Sequence, residues 1–225
     1  MAMITICGTI SAGKSALTEI VANAFGGMAI YEELPELLGK FYENGRETDN
    51  NERVAFLTQL MFMRQRMESI RVCRTEGLTQ FNVLDRSLAE DGLFCRLAYE
   101  DNLLTDIEYR VYLDLQETMW RELEMIPSVH PDLSIYIRIS YETFEKRLLK
   151  RGRDMEIENY EKNKDYFYRL WSRYDDFING EYLEKSKCPL LIIDGDSFDF
   201  VENDAHRTHV LGLIATKLNE IGVKL

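Results

Sequence analysis

The sequence predicts an α/β fold in which a parallel sheet is covered by helices on both faces, and three observations carry that prediction. Short aliphatic or β-branched runs at Met3–Cys7, Met28–Tyr31, Phe81–Leu84, Leu133–Ile139 and Leu190–Ile193 alternate with longer segments of helical period. The first run ends in a glycine-rich turn, Gly8-Thr9-Ile10-Ser11-Ala12-Gly13-Lys14-Ser15, which opens a helix. A chain of 225 residues buries one sizeable core, and a three-layer unit would use all of it. The expectation is a single domain over residues 1–225.

Each element has a local reason. The first turn has the strand–GxxxxGK[ST]–helix form of a phosphate-binding loop. Its glycines let the backbone turn tightly and approach phosphate oxygens without a Cβ in the way. The unpaired N–H groups at the helix start point at the anion. Lys14 is expected to reach the terminal phosphates and the Ser15 hydroxyl to hold Mg²⁺. In the first helix, Lys14 to Phe25, Leu17, Ile20, Val21 and Ala24 recur at helical spacing, and Gly26-Gly27 end it. Pro35 and the polar stretch from Glu43 to Asn51 bracket a short helix and a loop. A long helix is predicted from Asn51 to Thr75 with Phe56, Leu60, Met63, Met67 and Ile70 as its inward face. Gln59 and Arg66 lie beside that stripe, roughly 10 Å apart along the axis.

After the third strand, Ser87-Leu88-Ala89-Glu90 reads as a capping box that starts a helix over Leu88–Tyr99. Further helices are predicted over Asp106–Met125, from a Ser140 cap through Phe144 and Leu148 to Gly152, over Asn159–Tyr182, and over Val201–Ile221. In parallel sheets the functional site lies beyond the carboxyl ends of the strands. That places Gly8–Ser15, Glu32, Asp85–Ser87 and Asp194–Phe200 around one crevice.

Composition narrows the partners. A net charge of −12 argues against nucleic acid or an anionic membrane as the main partner. Cys7, Cys73, Cys95 and Cys188 show no CxxC spacing, which fits a reduced compartment better than disulfides or zinc. No secretory leader or membrane-length apolar run is read, so the expectation is a cytoplasmic protein.

Against this acidic background, Lys146 to Arg153 holds five cations in eight positions. Arg147 and Arg151 share a helix face, and Gly152 lets the chain turn before Arg153. Arginines on a mobile segment stabilise charge on a transferring phosphoryl group. Glu32 and Glu33 follow the second strand, and either carboxylate could accept a hydroxyl proton. Asp85 is placed to act near Mg²⁺, and Arg86 to neutralise phosphate or orient the base. The aromatic series from Tyr160 to Phe177 reads as core packing or a subunit interface, and the three histidines need no special role.

Taken together, GTISAGKS (Gly8–Ser15), the Tyr31-Glu32 turn, FLTQ (Phe56–Gln59), DRSLAED (Asp85–Asp91), KRLLKRGR (Lys146–Arg153) and DGDSFDF (Asp194–Phe200) resemble the deoxynucleoside kinase family, in particular its bacterial deoxyadenosine/deoxyguanosine kinase branch. The resemblance runs over nearly the whole chain. It implies a three-layer α/β/α P-loop kinase fold with a five-stranded parallel sheet, usually dimeric. The implied reaction moves the γ-phosphoryl of ATP, with Mg²⁺, to the 5′-hydroxyl of a deoxynucleoside. It further implies Glu32 as the base, with Arg86 as its neighbour. Gln59, Arg66 and Asp91 would read the nucleobase, and Tyr42 and Glu156 would hold the sugar 3′-hydroxyl. Arg147, Arg151 and Arg153 would belong to a lid over about 147–158, and Asp199-Phe200 would lie near the donor base. Two departures stand out. Glu33 occupies a position where many members carry proline, and the segment between Tyr42 and Gln59 is longer than in relatives.

Two other readings fit less well. A monophosphate kinase of the thymidylate type would need arginines for an acceptor phosphate, whereas Gln59, Arg66 and Asp91 suit a neutral base. A GTP-dependent switch would need an NKxD motif, and Asn163-Lys164-Asp165-Tyr166 has Tyr in place of the acid. Asp91 paired with Arg66 accepts hydrogen bonds only, and Gln59 both donates and accepts, which matches an adenine-like edge. Deoxyadenosine is therefore expected to lead, deoxycytidine or deoxyguanosine to follow, and thymidine to be poor.

Overall fold

The structure, a computed structural model, describes residues 1–34, 37–43, 53–76 and 79–224. Five parallel strands form one sheet: β1 (Ala2–Gly8), β2 (Met28–Ile30), β3 (Phe81–Asp85), β4 (Leu133–Arg138) and β5 (Leu190–Asp194), in the order β2-β3-β1-β4-β5. β1 is central and buried at every position, so it reads as a continuous apolar run without alternation. Ile4 pairs with Val83 on one side and Leu133 on the other. The chain winds in one direction through β2 and β3 and in the other through β4 and β5. The switch falls beside the carboxyl end of β1, where the glycine-rich turn emerges.

The helices are α1 (Lys14–Ala24), α2 (Leu37–Glu43), α3 (Val54–Thr75), α4 (Asp91–Glu100), α5 (Asp106–Glu124), α6 (Tyr141–Arg151), α7 (Asp154–Ile157), α8 (Tyr160–Phe177), α9 (Leu183–Ser186) and α10 (Asp204–Glu220). Leu17 and Val21 of α1, Phe144 and Leu148 of α6, and Val210, Ile214 and Leu218 of α10 are buried in the core around the sheet. Gly152 takes φ +65° at the end of α6, and its N–H donates to the Leu148 carbonyl, so the helix stops there as the sequence predicts. No helix among the described residues is long and apolar enough to cross a membrane.

Three expectations change. On α3 the fully buried face carries Ala55, Thr58, Gln59, Met63, Arg66, Ile70 and Cys73, while Phe56, Leu60 and Met67 are only half-buried flanks. Polar site residues occupy part of the inward face, so apolar periodicity alone centres it wrongly. The loop predicted over Glu43–Asn51, like Pro35, falls almost wholly outside the described residues. The capping box expected at Ser87 does not form. Residues Leu88–Glu90 make a 3₁₀ turn, Ser87 caps nothing, and Glu90 points into the core. The box forms instead at the start of α5, where Glu108 N–H donates to Thr105 Oγ1 (3.3 Å) and Thr105 N–H to Glu108 Oε2 (2.8 Å).

In the aromatic series, Tyr160, Tyr166, Phe167, Tyr174 and Phe177 are buried, which supports core packing, and Tyr168 is exposed. The segment beyond α8 continues as a π-helical turn over Ile178–Tyr182 before α9. The last helix begins at Asp204 rather than Val201, because Asn203 caps it by accepting from His206 N–H.

Candidate active site

At the carboxyl ends of β1 and β3, a cleft opens between the glycine-rich turn, α2, α3 and the α6–α7 junction. Gly8 (φ +151°) and Gly13 (φ +100°) frame the turn. A Cβ on Gly8 would sit 2.9 Å from the Ile137 carbonyl oxygen, so only glycine fits. Ser11 also has positive φ (+60°), and its Oγ donates to the Phe144 carbonyl (3.0 Å), which ties the turn to α6. Thr9, Ile10 and Ala12 are buried, leaving the turn's backbone as its polar surface.

Lys14 Nζ bends back to donate to the Thr9 carbonyl at 2.7 Å. Burial and the nearby Arg86 charge bring its pKa down to about 7, against the opposing pull of Asp85, Glu90 and Glu32. Ser15 Oγ donates to Asp85 Oδ2. Asp85 Oδ1 is buried with no donor among the described residues. A hydroxyl beside a carboxylate with one free oxygen is the hard-oxygen donor set that Mg²⁺ takes.

Toward α3, Arg66 forks between Glu32 and Asp91; Glu32 and Arg66 line the cleft, whereas Asp91, almost wholly buried, does not. Arg86 Nε stands 3.5 Å from Glu32. Burial alone would raise the Glu32 carboxyl, but the guanidinium groups of Arg66 and Arg86 outweigh it and hold Glu32 below the ordinary carboxylate range. Glu32 is therefore ionised at neutral pH. The neighbouring Glu33 is exposed on the opposite side of the turn, so the structure separates the two acids that the sequence left open. Gln59 and Tyr42 are buried and line the cleft. Glu156 is buried too, pairing with Arg151 and facing Arg153 Nη1 at 3.8 Å.

The basic run divides. Arg151 and Arg153 line the cleft. Arg147 does not: its guanidinium donates to the Ala12 carbonyl (2.9 Å) and the Gly195 carbonyl (2.7 Å). Helical phase alone would group Arg147 with Arg151, but those two carbonyls draw it toward the far side of the turn. Phe200 is buried there against Gly13, and Asp199 accepts from the N–H groups of Val201 (3.2 Å) and Glu202 (3.0 Å). Asp194–Phe200 thus borders the glycine-rich turn without lining the acceptor cleft.

Sequence reasoning missed several cleft residues. Phe62, Phe94, Leu38 and Phe41 supply apolar walls, and Tyr166 belongs to both core and cleft. Arg86 sits over the Phe94 ring, 4.9 Å from its centroid. Glu90, read as a capping residue, is wholly buried and accepts from Arg86 Nη1 at 2.8 Å. Nothing local to Asp85–Asp91, five of whose seven residues are charged or polar, marks Glu90 as a core residue.

A deoxynucleoside kinase family model matches residues 4–219. A deoxyguanosine kinase of Lactobacillus johnsonii is 36% identical, with 99% of this chain and 95% of the relative covered. A deoxyadenosine kinase of Lactobacillus acidophilus is 35% identical, with 98% of each covered. Among solved structures, a deoxyadenosine kinase from M. mycoides with dCMP and a flexible dCDP bound has the same fold. It superposes with a TM-score of 0.72 at 23% identity, covering 97% of this chain and 99% of that one. On the span of the family match and the two relatives, this chain belongs to the deoxynucleoside kinase family.

Proposed function

We propose that this kinase transfers the γ-phosphoryl of ATP to the 5′-hydroxyl of a purine deoxynucleoside or deoxycytidine, with deoxyadenosine favoured. The observation that carries the proposal is the Glu32–Arg66–Asp91 arrangement, in which Glu32 and Arg66 line the cleft. A monophosphate acceptor would require an uncommitted cation there, whereas Arg66 is neutralised by two carboxylates. Relatives named for deoxyguanosine, deoxyadenosine and deoxyadenosine/deoxycytidine support the substrate class.

In this reading the nucleobase meets Gln59, Arg66 and Asp91, and the sugar 3′-hydroxyl meets Tyr42 and Glu156. The 5′-hydroxyl then lies near Glu32, which takes its proton as the oxygen attacks the γ-phosphorus. The turn Gly8–Ser15 holds the donor phosphates through backbone N–H groups and Lys14. Ser15 and Asp85 would hold Mg²⁺, which neutralises phosphate charge when bound. Arg151 and Arg153, on a lid over about 147–158, stabilise charge on the moving phosphoryl group. Asp199 and Phe200 border the donor base.

We read the chain as one catalytic domain that works in the cytoplasm as a homodimer. Leu57 and Met61 on α3 and Ile107, Val111 and Leu115 on the adjoining α5 expose apolar side chains at helical spacing, which supports a subunit contact. ADP release measured with and without a deoxynucleoside tests the function. Turnover that depends on the nucleoside is expected. Equal turnover without it would indicate a nucleotide hydrolase or switch instead.

A further inference from the structure

Glu90 collects hydrogen bonds from three separate elements. Its Oε1 accepts from the Gly8 N–H (3.2 Å), where β1 enters the phosphate-binding turn, and from Arg86 Nη1 (2.8 Å), just past β3. The Tyr174 hydroxyl of α8 donates to the same oxygen and itself accepts from Arg86 Nη1 at 2.9 Å. Glu90 is 0% exposed, and its Oε2 has no partner among the described residues. Arg86 holds a left-handed backbone conformation, φ +75°, and its own N–H donates to the Ile6 carbonyl at 2.9 Å. A non-glycine residue keeps such a conformation only when its surroundings over-determine it, and such positions cluster at active sites.

We propose that Glu90 is a positioning residue that locks Arg86 beside the transferring phosphoryl group and fixes it to the phosphate-binding turn. Two acids compete for this arginine. Glu90 holds it at 2.8 Å, and Glu32 lies 3.5 Å away. While Arg86 is committed to Glu90 it stays 3.5 Å from Glu32 Oε2, and with Oε1 held by Arg66 that second oxygen is the one left to take the hydroxyl proton. Removing the Glu90 charge lets Arg86 swing onto Glu32, which misplaces the arginine and occupies the base in one movement. Through Gly8 the same carboxylate keeps the donor phosphates and Arg86 in one frame, so its loss acts on transfer more than on binding. The inference rests on the roles given above to Glu32 and Arg86.

The test is a double-mutant cycle on turnover. Gln at position 90 keeps the side-chain length and removes the charge, so Arg86 keeps only a neutral acceptor there against the charged Glu32. E90Q, R86Q and the double variant are compared with wild type for kcat, for KM of ATP and deoxyadenosine, and for thermal midpoint. E90Q is expected to lower kcat by ~10²-fold, the scale of a misplaced catalytic group, with both KM values nearly unchanged. In the R86Q background the same change is expected to alter kcat less than about twofold, because Glu90 acts through Arg86. An undiminished E90Q cost in that background, or a fall in thermal midpoint with wild-type kcat, overturns the proposal for Glu90. Wild-type kcat in R86Q overturns the underlying role of Arg86 instead. If E90Q does not fold, Y174F removes one hydroxyl and leaves the ion pair. A lowered kcat with unchanged KM values supports the proposal there, and unchanged kcat in folded Y174F counts against it.

Discussion

On the acceptor side of the cleft, charge sits on side chains that neutralise one another: Arg66 with Glu32 and Asp91, Arg86 with Glu90, Arg151 with Glu156. The donor side is built largely from backbone. There the turn offers N–H groups, and the half-buried Arg147 is spent on the carbonyls of Ala12 and Gly195. The two halves should therefore fail differently. A paired charge cannot lose its partner without leaving the other buried and uncompensated. A backbone cradle tolerates side-chain change but not a change of conformation.

The largest expected effect divides the basic run along this boundary. Replacing Arg151 and Arg153 together by Ala should lower kcat by ~10³-fold, the scale of an arginine acting on transition-state charge, with little change in acceptor KM. Arg147→Ala should instead raise the KM for ATP, since it props the donor cradle. Steady-state kinetics on both variants checks the division, and a pure KM effect from the pair would move Arg151 and Arg153 to substrate positioning.

Next in size is the base. Glu32→Gln should lower turnover by ~10²-fold or more while deoxynucleoside binding is largely kept. Glu33→Gln should behave as wild type, because Glu33 is exposed outside the cleft. Comparing the two kcat values against calorimetric affinities sharpens the contrast between adjacent acids, and a silent Glu32→Gln would break it.

A smaller effect belongs to the donor side. Lys14 has a pKa of about 7, and triphosphate favours its charged form, so ATP binding raises that pKa and takes up a proton above pH 7. Affinity should be flat below pH 7 and fall as pH rises beyond it, by at most about tenfold per unit. Calorimetry at pH 8 in buffers of different ionisation enthalpy should show net proton uptake. None would mean that Lys14 is fully charged before ATP arrives.

The smallest effect lies away from both halves. Thr105→Ala removes the α5 cap and should cost about 1 kcal/mol of stability with kcat unchanged. Chemical denaturation measures it, and a change in kcat would link α5 to the cleft.

The donor half was the more legible in the sequence. Its chemistry needs glycines at fixed spacing before a lysine, and that spacing survives in the primary structure. The inner strands β1, β3 and β4 were legible for a similar reason, since strands buried on both faces leave largely apolar runs. What stayed hidden were side chains whose partners lie far along the chain. Ser87-x-x-Glu90 and Thr105-x-x-Glu108 carry the same capping pattern, yet only the second is a cap. Glu90 meets Tyr174, 84 positions away, and no local pattern encodes that meeting. Arg147 and Arg151 share a helical phase, but only Arg151 lines the cleft, because carbonyls brought together by tertiary folding claim Arg147. On α3, the polar residues that make the site also blur the periodicity that would have located its inward face.

The proposed reaction requires a neutral nucleoside, not a nucleotide, to enter beside Arg66 and Glu32. Phosphoryl transfer from ATP to the four deoxynucleosides and to their four monophosphates, measured side by side, tests this directly. Transfer to deoxyadenosine should lead, with thymidine lower by about 5- to 150-fold, the cost of setting an acceptor against the Asp91 carboxylate. Preferential phosphorylation of a monophosphate, or thymidine outperforming deoxyadenosine, would contradict it.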